Sequence, residues 1–176
     1  IHLKGELKNE TGTKQKIEVV STILDAQNTV IVSAKNNVVI DTDGTFNQEF
    51  EVENPRLWSP DSPTMYALET KLYVDGKLKD TYQTPFGIRS IELKGGKGFF
   101  LNGKSIKFKG LSNHHDAGPV GSAVPDDVLY SRLKLVKEMG ANALRTTHNP
   151  FSPEFYAMCD TLGILVMDEA FDGWYT

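Results

Sequence analysis

The chain has 176 residues, 39% of them hydrophobic and 24% charged, which is ordinary for a globular protein and enough for one good core or two small ones. A formal charge of −4 without any basic stripe argues against a nucleic-acid footprint, and no apolar run approaches the ~20 residues of a membrane span. One cysteine, Cys159, leaves no intrachain disulfide and reads as a small buried apolar residue on a helix. The sequence opens at Ile1 with neither a basic nor an apolar leader pattern, so no compartment is legible there.

From Ile1 to about Lys94 the signals are those of strands. His2 to Leu7 alternates roughly, and Glu10 to Thr13 supplies a turn. Lys16 to Leu24 alternates clearly, with Ile17, Val19, Ser21 and Ile23 on one face. Thr29 to Ile40 is rich in Val and Ile and breaks at Asn36-Asn37. Asp41 to Gly44 turns the chain before Phe46, Phe50 and Val52. Met65 to Val74 and Lys77 to Gln83 flank Asp75-Gly76, a strong hairpin dipeptide, and Phe86 to Leu93 follows. About seven short strands with turns between them predict an immunoglobulin-like β-sandwich over residues 1–94. Within it the loop from Asn54 to Pro63 carries three prolines and is stiff and extended. Its Trp58 reads as a buried plug under that loop or against a neighbouring domain, with sugar stacking the minor alternative.

Gly95-Gly96-Lys97-Gly98 breaks the pattern. Phe99 to Leu101 and Ile106 to Phe108 then form a hairpin across Asn102-Gly103, a small lid for the base of a second domain spanning 95–176. Phe108 to Ser112 is a first parallel strand ending in Asn113-His114-His115-Asp116, followed by a loop from Ala117 to Val124. A helix starts near Pro125, with Asp126 and Asp127 at its positive end, Leu129, Leu133, Val136 and Met139 as its buried stripe, and Gly140 as its stop. Ala141 to Arg145 is a second strand, ending in Arg145, Thr146, Thr147, His148 and Asn149. Ser152-Pro153-Glu154 opens a second helix with Phe155, Met158 and Cys159 inward and Gly163 at its end. Ile164 to Met167 is a strand buried on both faces, and Asp168 and Glu169 follow it.

This alternation predicts a parallel sheet with helices packed on it. Right-handed crossovers bring the three polar strand ends onto one rim, where such folds place their chemistry. Imidazole, amide, guanidinium and carboxylate groups together suit a neutral polyol, whose hydroxyls both donate and accept. Asp168 and Glu169 are adjacent, so along a strand they point to opposite faces and do not form the carboxylate pair of a glycosidase. The competing metal set is His114 or His115, His148 and one carboxylate.

The runs FGIRSIE, GFFLNGKSIKFKG, NHHD, GANALRTTHNP and CDTLGILVMDE, in that order, resemble glycoside hydrolase family 2, as does the NPRLWSPDSP loop. The NHHD variant is most similar to the β-galactosidase branch, while β-glucuronidases and β-mannosidases share much of the rest. The resemblance implies a multidomain β plus α/β chain: an immunoglobulin-like sandwich, then the first three βα units of a truncated (β/α)8 TIM barrel. It implies retaining exo-hydrolysis of terminal β-galactosides by the parent enzyme. His114 and His148 would touch sugar hydroxyls or the transition state. Arg145, Asn149, Asp168 and Glu169 would shape the non-reducing-end pocket or orient the catalytic groups.

Family members carry the acid/base glutamate after the fourth barrel strand, second in an Asn-Glu pair, and the nucleophile later still. The only such pair here, Asn9-Glu10, is in the sandwich half, and the jelly-roll domain usual at the family's N-terminus is not in this sequence. The expectation is therefore an internal piece of a glycosidase with no catalytic glutamate of its own, no metal, no cofactor and no turnover. Its open barrel edge would expose apolar surface and favour self-association. The rivals are a non-catalytic carbohydrate- or protein-binding module and a metal-dependent hydrolase built on His114, His148 and Glu169.

Overall fold

The structure is a computed structural model and describes residues 1–171 and 173; the predicted C-terminal limit of the second domain, Thr176, lies outside them. The chain divides into two compact units, residues 1–56 with 65–86, and residues 57–64 with 87–176. Among the described residues no helix is long and apolar enough to cross a membrane.

The first unit is a β-sandwich. β1 (His2–Lys8) pairs antiparallel with β4 (Asp43–Glu49). The other sheet has the order β3-β2-β5-β6, built from β2 (Gln15–Leu24), β3 (Val30–Ile40), β5 (Tyr66–Val74) and β6 (Lys77–Phe86). Ile17, Val19, Ser21 and Ile23 are all buried, as their period-2 spacing requires. Leu7, Ile17, Val19, Ile40 and Phe46 form the core between the sheets. Ser21 is the polar member of the β2 series, and its hydroxyl meets that of Thr70 at 3.1 Å. The Asp75-Gly76 turn has φ of 49° and 71°, the two positive angles of a type I′ hairpin, so Val74 faces Lys77.

Two details differ from the sequence pattern. Asn36-Asn37 does not break its strand: both residues stay in register with Val19 and Glu18, and the Asn36 amide donates to the Asn47 carbonyl at 3.2 Å. Phe86 to Leu93 is not one strand. Phe86 ends β6, and β7 (Ile91–Lys94) pairs with β8 (Gly98–Leu101) in the second unit, not with a sandwich strand.

The second unit opens with that hairpin sheet, β7-β8-β9, where β9 is Lys104–Ser105. Asn102 and Gly103 have φ of 52° and 75°, a second type I′ turn. A parallel sheet follows in the order β10-β11-β12, from β10 (Gly110–Asn113), β11 (Ala143–Thr146) and β12 (Leu165–Met167). The crossovers are α1 (Asp126–Glu138) and α2 (Pro153–Leu162). Ser152 caps α2 by accepting from the Phe155 N–H, Pro153 takes the first position, and Gly163 ends it at φ 72°. A Cβ on Gly163 would stand 2.5 Å from the Pro60 carbonyl, so that position also needs glycine for space.

Leu129, Leu133, Val136, Leu144, Phe155, Cys159 and Ile164 form the core between helices and sheet. Met139, expected in the buried stripe, is 72% exposed. The inward series runs 129, 133, 136 and next reaches 140, one residue past it.

The segment 57–64 belongs to this unit. Trp58 is 1% exposed, donates its indole N–H to the Asp160 carbonyl at 2.7 Å, and lies under the Arg89 guanidinium, 4.7 Å from its ring centre. Lys137 Nζ donates to the carbonyls of Pro60 at 2.6 Å and Gly163 at 2.8 Å. Trp58 is thus a buried plug, and the segment 57–64 that carries it is part of the α/β unit.

Candidate functional site

The parallel sheet has two faces, and alternation sorts the residues between them. Leu144 and Thr146 of β11 face the helices, while Ala143 and Arg145 face the other side. On that side the register aligns Ser112, Arg145 and Met167. The polar residues beyond each strand therefore gather at one end of one sheet.

Glu169 is the hub. Its Oε1 accepts from Arg145 Nε at 2.5 Å and also meets Arg145 Nη2, and its Oε2 lies 2.8 Å from His148 Nδ1. The bond to His148 and then the Arg145 guanidinium hold the Glu169 carboxyl below the usual glutamate range. His114, from the end of β10, sets its ring edge-on to that of His148 with centroids 5.8 Å apart. His115 points elsewhere, against Phe151 at 5.9 Å. Asn149 is half-buried in the loop between β11 and α2. The Thr147–His148 peptide in that loop is cis.

Asp168 stands apart from this cluster. Its Oδ1 accepts from the Thr146 hydroxyl at 2.8 Å and from the Tyr156 hydroxyl at 2.7 Å. Asp168 and Glu169 thus diverge, as adjacent residues leaving a strand should. The structure brings His114, Arg145, His148 and Glu169 together and turns Asp168 toward α2. The metal set of His114, His148 and Glu169 does not assemble: among the described residues no three His, Cys, Asp or Glu side chains group as metal ligands.

The sequence pattern gave no positioning role to three residues that hold these groups. Arg132 of α1 donates to the carbonyls of His114 at 3.3 Å and Asp116 at 2.9 Å, fixing the loop after β10. Thr146 is fully buried, and besides donating to Asp168 it accepts from the Glu169 N–H at 2.9 Å. Tyr156 accepts from the Phe151 N–H at 2.9 Å while donating to Asp168. Thr146 had one available signal: it lies two residues beyond buried Leu144 on the same face, where a hydroxyl must find partners.

Comparison with known proteins adds the family. The family model "Glycosyl hydrolases family 2" matches residues 1–89, and "Glycosyl hydrolases family 2, TIM barrel domain" matches 91–172. A β-galactosidase of Bacteroides ovatus is 38% identical over 176 residues, covering 99% of this chain and 21% of that protein. The chain belongs to glycosyl hydrolase family 2. Among solved structures of the family, a Bacteroides cellulosilyticus member matches with a TM-score of 0.93 at 38% identity, covering 99% of this chain and 24% of that one. A Bacteroides uniformis β-glucuronidase 2 matches at 0.91 and 34%, covering 96% and 21%. The chain therefore spans about a fifth to a quarter of the length of these family 2 relatives. Its architecture is that of the family: a sandwich followed by the opening strands and helices of a TIM barrel.

Proposed function

We propose that this chain is the sandwich and the first three barrel strands of a retaining exo-β-galactosidase, with Arg145, His148, Asn149 and Glu169, together with His114, lining part of its sugar subsite. Asp168 contributes indirectly, from the helix side. Convergence of the β10, β11 and β12 ends on one cluster is the observation that supports this most. The subsite would bind hydroxyls, while two glutamates further along the parent protein would supply acid/base and nucleophile, about 5 Å apart as retention requires.

The relatives include both β-galactosidases and β-glucuronidases, so a uronide is the competing substrate. Charge favours the neutral sugar. Glu169 already meets the Arg145 guanidinium, so the cluster offers a uronate carboxylate no uncompensated arginine. A β-mannoside is the third alternative within the family.

The test is hydrolysis of 4-nitrophenyl glycosides by the full-length protein containing this chain and by the 176-residue chain itself. The full-length protein should cleave the β-galactoside fastest, and the 176-residue chain should cleave none. Preference for the β-glucuronide would replace galactoside with uronide, and turnover by the 176-residue chain would refute the assignment of catalysis elsewhere.

A further inference from the structure

We infer that Tyr156, Asp168 and Thr146 form a positioning chain that sets the Glu169 carboxylate against Arg145 and His148. The inference deepens the subsite reading and rests on it for its functional part; its geometric part stands alone.

The chain of bonds is continuous. The Tyr156 hydroxyl, from α2, accepts from the Phe151 N–H at 2.9 Å and donates to Asp168 Oδ1 at 2.7 Å. The Thr146 hydroxyl, at the end of β11, donates to that same oxygen at 2.8 Å and accepts from the Glu169 N–H at 2.9 Å. Three elements thus meet at one carboxylate oxygen: the end of β11 through Thr146, α2 through Tyr156, and the residue after β12 that carries it. Two consequences follow from bond count. A hydroxyl has one proton, so with that proton given to Asp168 the Thr146 and Tyr156 oxygens can take only donors as further partners, and each takes a backbone N–H. The backbone N–H of Glu169 is then tied to a fully buried group, which fixes where its side chain begins.

The groups facing Glu169 are Arg145 from β11 and His148 from the following loop, with His114 edge-on behind His148. Asp168 lies on the opposite side of the backbone. Burial first, and then the bond to Asp168, raise the Tyr156 phenol above its usual range. Thr146 is fully buried, and the Tyr156 hydroxyl is spent on Asp168 on the helix side of the sheet. Their link to Glu169 is the bond from its backbone N–H to the Thr146 hydroxyl.

The decisive measurement is the NMR titration of the Glu169 carboxylate in the 176-residue chain labelled with 13C-glutamate. In the native chain Glu169 should titrate below ordinary glutamates. Tyr156→Phe keeps the ring and removes the hydroxyl, and should move the Glu169 midpoint up toward the ordinary range. Thr146→Val should do the same, and Thr146→Ser should restore the native midpoint. A merely structural role would lower the melting temperature and leave the midpoint in place, and that result overturns the inference. Should neither Tyr156→Phe nor Thr146→Val fold, the groups are structural and the inference also falls.

In the full-length protein Tyr156→Phe should reduce kcat/KM by roughly ten- to 100-fold and shift its acid limb upward, since small displacements of positioning groups cost that much. If the full-length protein cleaves no β-glycoside, the subsite reading fails while the titration still decides the geometry.

Discussion

Asp168 and Glu169 are neighbours in sequence with opposite duties: the first accepts from Thr146 and Tyr156 on the helix side of the sheet, and the second gathers Arg145 and His148 on the other. The alternation of a strand, carried two residues past β12, separates two chemically similar carboxylates.

The sign of the Glu169 shift fixes its effect on stability. Its carboxyl is held low by His148 and then Arg145, so the native state favours the ionised form. The resulting stabilisation is complete above the ordinary glutamate pKa of about 4.3 and disappears as pH falls through the lower native value. Melting curves of the native chain and Glu169→Gln should therefore be well separated at neutral pH and converge in acid. A gap that persists unchanged in acid would show that the charge is not its source.

Trp58 and Lys137 hold the segment 57–64 from two sides. Trp58→Phe removes the bond to the Asp160 carbonyl and part of the Arg89 contact, and should cost about 2–4 kcal/mol in urea denaturation. Lys137→Met removes two charge-assisted bonds and should cost about 1–3 kcal/mol. Because they pin one segment, the double variant should be less destabilised than the sum by at least about 0.5 kcal/mol. Strict additivity would mean that the two anchors act independently.

Cys159 should be inert while the chain is folded. It is 1% exposed, and burial, followed by the nearby Asp160 charge, pushes its thiol up to about 12. Iodoacetamide at pH 8 should label it only at the rate of unfolding, and rapidly in urea. Fast labelling of the native chain, read by mass spectrometry, would contradict this packing.

The face of the parallel sheet opposite the helices carries an apolar cavity of about 490 Å³, lined in part by Ile91, Leu93, Phe99, Phe108 and Met167. Leu93 is 82% exposed and Met167 57%. Such a surface should bind an apolar dye and drive the 176-residue chain to self-associate as its concentration rises. Leu93→Lys with Met167→Lys should reduce both dye fluorescence and light scattering. Scattering that stays monomeric throughout would remove the expectation.

The parts of this structure legible from sequence are those where local chemistry leaves few choices. Asp75-Gly76 and Asn102-Gly103 specify two-residue turns because both positions need positive φ. Ser152, Pro153 and Gly163 bracket α2 because each satisfies or avoids a backbone group that the helix leaves open. The cluster of His114, Arg145, His148 and Glu169 was legible because residues at the ends of parallel strands share a rim. Pairing was less legible. Nothing in Ile91 to Lys94 says which sheet it joins, since alternation gives a strand's faces but not its partner. Tyr156 escaped notice because half a tyrosine is an ordinary helix-packing group, and the use of its hydroxyl depends on a residue that arrives only after β12.

Residues 57–64 leave the sandwich's stretch of sequence, join the other unit, and give the chain back at Met65. No single cut therefore yields two self-sufficient pieces. A recombinant sandwich made from residues 1–94 would carry off the indole that the barrel unit needs, and a barrel piece begun at residue 95 would start with an empty socket beside α2. Shuffling halves between relatives calls for co-inheritance of this borrowed strip with its host, so sequence exchange in such chains should respect three junctions instead of one.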